Sequence, residues 1–189
     1  TDNEYLARVI EAVIKAGATV VNIPDTTGYC LPNQYGEKIA YLVNNVPNID
    51  KAIISCHCHN DLGMATANAI TAYQSGAKCI SGTINGLGER AGNSVLEEFI
   101  AYLIYKENNH HYNSKVITTL CKMVADISKQ TLSENKPIIG EKVYTHESGI
   151  HTSAILKNRA SYQFINPLDF GQLDKGFCFG KHSGKASIY

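Results

Sequence analysis

The chain has 189 residues, and its 17 Lys and Arg side chains balance its 17 Asp and Glu side chains, giving a formal net charge of zero. This balance excludes the overall field that would favour a nucleic acid or an anionic membrane surface as a partner. Hydrophobic residues make up 44% of the chain, which is enough for one sizeable core or two modest ones and argues against disorder. We therefore expect a globular protein whose partners are small molecules or other protein chains.

The apolar runs and the cysteines indicate the cellular compartment. No apolar run is longer than a strand, and the first residues lack the basic and apolar regions of a secretion signal. We therefore expect a protein that neither spans nor crosses a membrane. Six cysteines are scattered without a CxxC pair or the spacing of a disulfide framework, which is typical of reduced thiols in a cytoplasmic protein.

Amphipathic helices and apolar strands alternate through the first 108 residues. In chain order the pattern predicts a helix at 5–16, a strand at 18–24, a helix at 34–43, a strand at 51–59, a helix at 64–75, a strand at 78–85 and a helix at 94–105. Strands that read as nearly solid apolar runs between such helices are typical of a parallel sheet covered by helices. The fold class is therefore α/β, with three βα units.

The composition changes after this region. Residues 106–114 are polar and predict a connection, and the next predicted helix carries one apolar face made of Val116, Leu120, Met123, Val124 and Ile127. From Pro137 onward, short apolar pieces between Gly and Ser predict loops and short helices. We therefore predict two domains, a βα domain at 1–108 that carries the metal and substrate site, and a small, mainly helical subdomain at 109–189.

The polar residues of the first domain follow the predicted strands, in NIPDTTGY, HCHNDLG and TINGLGERAGN. In parallel βα folds the active site collects at this end of the strands. Side chains alternate along a strand, so His57 and His59 share one face and Cys56 and Cys58 share the other. Two imidazoles on one face favour a metal site over two unrelated core histidines. The cysteines are expected to pack beneath the helices.

Three nearby features keep a structural alternative. Asp61 is either a site residue or the N-terminal cap of the following helix. Glu97 is expected to be structural, because Ser94-Val-Leu-Glu97 fits a capping box. The glycine-rich loop at 85–93 lacks the GxGxxG spacing of dinucleotide sites. Its backbone amides and Arg90 could approach an anion or a thioester carbonyl, although an ordinary surface turn explains the loop nearly as well.

Five consecutive motifs resemble a known enzyme family. They are NIPDTTGYCLPNQYGE, HCHNDLGMATANAI, GTINGLGERAGN, SGIHTSAILKN and GKHSGKAS. In this order they resemble the signatures of the 2-isopropylmalate synthases, in the family that also includes homocitrate and citramalate synthases. The resemblance implies a TIM-barrel transferase that joins acetyl-CoA to 2-oxoisovalerate in leucine biosynthesis. It also implies a divalent metal, Mn²⁺ or Mg²⁺ and possibly Zn²⁺, and a homodimer.

The resemblance also implies roles for individual residues. His57 and His59 match metal ligands, Asn93 matches a position at or near the metal, and Thr26 matches a residue that contacts the oxo acid. Arg90 is predicted to bind substrate from its place in the glycine-rich loop and not from the resemblance. His151 and Tyr162 match catalytic residues that enter the active site of the neighbouring subunit. From the residues alone, His151 and Tyr162 would have been interpreted as ordinary parts of the subdomain.

Two departures from the family pattern shape the expected activity. The family has a complete eight-stranded barrel, with an Asp ligand on the first strand and further catalytic residues upstream. This chain is expected to hold only the last three βα units and the subdomain, to expose open sheet edges and to be inactive alone. Homocitrate or citramalate synthesis remains an alternative, as does a non-catalytic metal-binding or assembly module.

Overall fold

The structure, a computed structural model, describes residues 2–177, 180 and 183. It divides into two units, one ending at Tyr102 and the other beginning at Leu103. The division lies inside a helix, ahead of the predicted boundary at residue 108. Of the predicted motif GKHSGKAS, only Gly180 and Ser183 lie within the described residues. No helix in the described part of the chain has the length and the hydropathy needed to cross a membrane.

A three-stranded parallel sheet forms the centre of the first unit. Its strands are β1 (Val20–Asp25), β2 (Ile53–Cys58) and β3 (Cys79–Ser81), in the order β1-β2-β3. The register places Pro24 opposite His57, and His57 opposite Ser81. The three predicted strands are thus confirmed, although β3 is shorter than predicted because residues 84–86 form a short 3₁₀ turn.

Four helices accompany this sheet in the predicted order, namely α1 (Asn3–Lys15), α2 (Pro32–Asn45), α3 (Ala65–Gln74) and α4 (Leu96–Glu107). Proline stands at the first position of α2, where its missing N–H would have no helical partner. Tyr35 of α2 donates a hydrogen bond of 2.5 Å to the Ile23 carbonyl oxygen. This buried bond joins α2 to β1.

The two faces of the sheet differ in burial. The helix-facing side chains Ile23, Ile54, Cys56 and Cys58 are buried, which confirms the predicted packing of the two cysteines. Hydrogen bonding with Cys56, together with burial, raises the pKa of the Cys58 thiol. The opposite face carries the histidines and, farther from the site, Ile53, which is 46% exposed. The helices therefore cover one face of the sheet, and most side chains of the opposite face are less buried.

The second unit contains α5 (Ile117–Ser128) and α6 (Gly149–Lys157), joined by turns. The predicted apolar face of α5 is largely exposed, with Met123 at 54% and Ile127 at 75%, whereas the opposite face is buried through Ile117, Thr118, Cys121 and Ala125. The apolar periodicity located an apolar face on α5, but it did not predict which face of the helix is buried. A half-buried tyrosine also ties this unit together, because Tyr105 donates a 2.6 Å hydrogen bond to the Asp169 carboxylate. Burial and this bond raise the pKa of Tyr105 to about 12.

The packing of α2 leads to a stability prediction. Leu42→Ala should lower the free energy of unfolding by about 2–5 kcal/mol, because Leu42 is 0% exposed and its truncation leaves a cavity. Val13→Ala on α1 is the control, since Val13 is 40% exposed and its truncation should change that free energy by roughly 0.5 kcal/mol. Urea unfolding followed by circular dichroism measures both. Equal losses would contradict the packing described for α2.

Candidate metal centre

Two histidines stand together at the end of β2. The ring centroids of His57 and His59 are 5.0 Å apart, and the rings are inclined by 77°. His57 Nδ1 lies 2.9 Å from the Ser81 hydroxyl on β3, so Nε2 is the ring nitrogen directed to a ligand. Burial, and then the neighbouring His59, lower the pKa of His57. The neutral imidazole that a metal requires is therefore favoured at this position.

Asn93 is held beside His59 by the backbone. The two residues form an isolated antiparallel bridge. Its hydrogen bonds run from the Asn60 N–H to the Gly92 carbonyl (2.9 Å) and from the Ser94 N–H to the Cys58 carbonyl (3.1 Å). Within the described residues, His59 Nδ1 and Asn93 Oδ1 are both buried without a hydrogen-bond partner. Buried polar atoms in native proteins are nearly always paired, so unpaired atoms of ligand type on two residues joined by this bridge suit a bound cation.

The donor set fits part of a metal coordination sphere. Two imidazoles and an amide oxygen suit a first-row divalent cation. The described part of the chain contains no group of three or more His, Cys, Asp or Glu side chains that could hold a metal ion. His57, His59 and Asn93 could therefore make only part of a coordination sphere, and the carboxylate that the family resemblance implies is not among them.

Arg90 joins the loops that surround these residues. Its Nε donates to Asp61 Oδ1 at 2.8 Å, and one terminal nitrogen donates to Asp61 Oδ2 at 3.0 Å and to the Thr26 carbonyl oxygen at 2.7 Å. The bond to Arg90 lowers the pKa of Asp61. The capping alternative for Asp61 is wrong, because the side chain that accepts from the Ala65 N–H at the start of α3 is Asn60. Asp61 turns instead toward Arg90.

A buried aspartate supports the loop that carries Thr26. The Asp25 carboxylate accepts hydrogen bonds from the Tyr29 and Cys30 backbone N–H groups, each at 3.2 Å, and from the Asn68 side chain at 3.3 Å. Sequence reasoning placed Asp25 at the rim without a role. The signal that could have found it is an Asp followed by a Thr-Thr-Gly turn, since Asp side chains accept from backbone N–H groups a few residues ahead. Thr26 itself is exposed and lines a cavity of about 330 Å³.

Glu97 supports the loop after β3. Its side chain is fully buried on the first turn of α4, and its two carboxylate oxygens accept from the Asn85 N–H at 3.1 and 3.0 Å. Asn85 has φ of 62°, a left-handed conformation that needs such support. Glu97 is therefore structural as predicted, but the predicted capping box is wrong, because the Ser94 N–H bonds to the Cys58 carbonyl oxygen and the Glu97 carboxylate accepts from the neighbouring loop. The Ser94 hydroxyl donates to the Ala65 carbonyl at 3.0 Å.

The second unit brings together the two residues predicted to be catalytic. The His151 ring on α6 stacks on the Tyr162 ring, with centroids 4.1 Å apart and an angle of 25°. The His146 ring lies 6.0 Å from that of His151, and its Nε2 is 3.1 Å from Gln163 Oε1. A salt bridge between Arg159 and Asp174 closes the turn that leads to Tyr162. The stack fixes the plane of the imidazole.

Comparison with known families agrees with this architecture. A family model described as HMGL-like matches residues 1–124, and one described as homocitrate synthase post-HMGL domain-like matches residues 138–189. The chain therefore belongs to the HMGL-like family. The HMG-CoA lyase of Bacillus subtilis has a similar structure, with a TM-score of 0.61 at 24% identity over 70% of this chain and 45% of that one. This likeness shows a shared fold, which confirms the predicted TIM-barrel class.

Curated relatives match the whole chain. The 2-isopropylmalate synthase of Parabacteroides distasonis is 50% identical over 100% of this chain and 38% of its own length. That of Haemophilus influenzae is 46% identical over 100% of this chain and 37% of its own length. The resemblance predicted from the five motifs is thus confirmed. The chain spans a little over a third of the length of these relatives.

The salt bridge near Tyr162 leads to a prediction about pH. The Arg159 guanidinium lowers the pKa of the Asp174 carboxyl, and Arg159→Gln should return it toward its ordinary value. With a lowered pKa, the folded chain binds fewer protons than the unfolded chain as the pH falls. The pair therefore stabilises the fold above the ordinary carboxyl pKa and loses that effect as the pH falls through the lowered one. Carboxyl ¹³C shifts measure this titration, and an unchanged Asp174 pKa in the variant would contradict the assignment.

Proposed function

We propose that this chain forms the metal-binding and oxo-acid-binding part of a 2-isopropylmalate synthase. That enzyme is an acyltransferase that joins acetyl-CoA, 2-oxoisovalerate and water to give 2-isopropylmalate and CoA in leucine biosynthesis. The observation that carries the proposal is the placement of His57, His59 and Asn93 at one edge of a parallel sheet, with two of their ligand atoms buried and unpaired. The names of the curated relatives support the choice of reaction.

The chemistry requires an activated ketone and a proton acceptor. The methyl group of acetyl-CoA must lose a proton and attack the keto carbon, and water must then release CoA from the thioester. A divalent cation, when bound, would polarise the ketone of the oxo acid. His57 through Nε2, His59 and Asn93 through its amide oxygen would hold that cation. Their backbone bridge and the Ser81 contact orient these ligands in advance.

Other residues have proposed roles in substrate orientation and proton transfer. Thr26 is exposed on the loop that Asp25 supports, at the same end of the sheet as His57, and its hydroxyl would orient the oxo acid. His151 would exchange a proton with the reacting groups, and the stacked Tyr162 ring would hold its imidazole in place. We propose that both act in the active site of the partner subunit of a homodimer.

The proposal includes the setting in which the enzyme works. The five cysteines that the structure describes are free thiols, which suits the cytoplasm. Mn²⁺ and Mg²⁺ are the proposed metals, with Zn²⁺ as a third candidate. Because His57, His59 and Asn93 make only part of a coordination sphere, the chain alone should bind metal weakly and lack turnover.

Three other functions remain as outcomes of the test. Homocitrate synthesis is favoured by one observation, the match of residues 138–189 to a model named after homocitrate synthase. That enzyme would prefer 2-oxoglutarate, and a citramalate synthase would prefer pyruvate. A non-catalytic metal-binding or assembly module would turn over none of these acids.

The deciding experiment measures CoA thiol release by the full native polypeptide that contains this chain. Acetyl-CoA and Mn²⁺ or Mg²⁺ are supplied with 2-oxoisovalerate, 2-oxoglutarate or pyruvate in separate reactions. We expect turnover with 2-oxoisovalerate, and we expect His57→Ala to lower it by about a thousandfold or more, because a metal ligand is removed. His110→Ala is the matched control, since His110 is exposed in the connecting segment.

Preference for another oxo acid would replace the proposed substrate. No release with any of the three acids, from folded protein loaded with metal, would leave the binding module as the better explanation. Equal activity of the His57→Ala and His110→Ala variants would rule out the proposed metal role.

Mixing variants tests whether the second unit acts in the partner subunit. His57→Ala and His151→Ala should each be inactive, since they remove different parts of the same site. After unfolding and refolding together in equal amounts, about half of the dimers are mixed, and each mixed dimer has one intact site out of two if His151 acts across the interface. Recovery of about a quarter of the wild-type rate would therefore support the partner arrangement. No recovery from confirmed mixed dimers would place His151 in the active site of its own subunit.

A further inference from the structure

One arginine connects the three loops that carry the candidate site. Arg90 holds Asp61 through two parallel hydrogen bonds and holds the Thr26 carbonyl oxygen through a third. Thr26 belongs to the loop after β1, Asp61 to the loop after β2 and Arg90 to the loop after β3. Two nitrogens of the guanidinium are thus already engaged within the protein.

We infer that Arg90 is a positioning residue of this site, which acts by holding His59 and Asn93 in register for the cation. We call Arg90, Asp61 and the Thr26 carbonyl the loop clasp. This inference rests on the proposed function and gives Arg90 a different role from the direct substrate contact expected from the sequence. A substrate carboxylate that used the same two nitrogens as Asp61 would have to compete with it, which leaves the other terminal nitrogen for a single contact.

The chain distances between the clasp and the ligands are short. Asp61 follows His59 by two positions, and Arg90 precedes Asn93 by three. Between these points the backbone bridge joins His59 to Asn93. The Arg90–Asp61 pair therefore constrains the positions of His59 and Asn93, because only a few peptide units separate the pair from these two residues. Loss of the pair would let the two loops separate at the bridge.

The backbone shows that these loops are held at close range. A Cβ atom at Gly28 would lie 2.5 Å from Asp61 Oδ2 and 2.9 Å from the His59 carbonyl oxygen, so the first two loops approach with no space for a side chain. Arg90 has φ of 53°, in the left-handed region that non-glycine residues rarely adopt. Such a conformation persists where surrounding contacts hold it, and the three hydrogen bonds of Arg90 supply them.

The clasp lies near the surface, which makes its function separable from stability. The side chains of Arg90 and Asp61 are 43% and 29% exposed. Exposed ion pairs contribute little to global stability, so their removal should leave the midpoint of thermal unfolding nearly unchanged. A two-pronged pair of this kind nevertheless fixes geometry, because the planar guanidinium matches both carboxylate oxygens. The expected effect is therefore on the alignment of the metal ligands.

The test uses the full native polypeptide and four variants: Arg90→Gln, Asp61→Asn, the double variant and Arg90→Lys. Mn²⁺ affinity without substrate is measured by electron paramagnetic resonance of the free ion. Each single variant should bind Mn²⁺ about 10–100-fold more weakly, as when other outer contacts of metal ligands are removed. The double variant should lose no more Mn²⁺ affinity than the single variant with the larger loss, because both changes break the same Arg90–Asp61 pair. Arg90→Lys keeps the positive charge but lacks the planar guanidinium that contacts both oxygens of Asp61. Its Mn²⁺ affinity should therefore be as low as that of Arg90→Gln.

Amide hydrogen exchange tests the backbone bridge between His59 and Asn93 without any metal or substrate. The N–H groups of Asn60 and Ser94, which bond across the bridge, should exchange faster in Arg90→Gln. The Lys78 N–H, which bonds to Ile54 elsewhere in the sheet, should not change. Arg8→Gln on α1 is the matched control, since it removes a guanidinium that packs over the Tyr5 ring. It should alter neither Mn²⁺ affinity nor these exchange rates.

Two results would overturn the clasp. One is an Arg90→Gln variant with normal Mn²⁺ affinity and normal exchange but a raised KM for an anionic substrate, which would indicate direct substrate contact. The other is full recovery of affinity in Arg90→Lys. If the wild-type polypeptide binds no Mn²⁺, the proposed function fails, and the exchange rates of Asn60 and Ser94 alone decide whether the clasp exists.

Discussion

The candidate site depends on the parallel pairing of three strands. Because β1, β2 and β3 run in the same direction, their carboxyl ends meet at one edge of the sheet, and residues far apart in the chain become neighbours. The register sets Pro24, His57 and Ser81 in one row across the sheet. A shift of one residue would turn His57 toward the helices and bring Cys56 to the ligand face. The chemistry of the site is thus a consequence of strand register.

Buried polar groups convert this register into a defined geometry. Asp25 holds the first loop through backbone N–H groups, and Glu97 holds the third loop through the Asn85 N–H. Burying a charged or polar group without partners is unfavourable, so each carboxylate is engaged by donors from the loop that it supports. Among the described residues, a few buried side-chain atoms have no hydrogen-bond partner, and two of them, His59 Nδ1 and Asn93 Oδ1, lie on the proposed ligands, where a cation would complete the set.

The fold was largely predictable because its pattern is local. Helical spacing and apolar runs located α1 to α4 and the three strands, and the alternation along β2 separated the histidines from Cys56 and Cys58. The loops were less predictable, since several residue types can make the same local contact. Asn60, one position before Asp61, supplies the side-chain contact at the start of α3. The sequence predicted that Arg90 approaches an anion from outside the chain. In the structure its partner is the Asp61 carboxylate, 29 positions away.

The sequence by itself determined the α/β class, the alternation that pairs His57 with His59, and the motifs that mark the HMGL-like family. These features depend on neighbours within a few residues or on signatures read along the chain. Only the tertiary structure decided that Asn93 lies beside His59, that Arg90 holds Asp61, and which face of α5 is buried. The physical reason is that these contacts arise from backbone pairing and packing between distant segments, and periodicity within one segment carries no information about its partner.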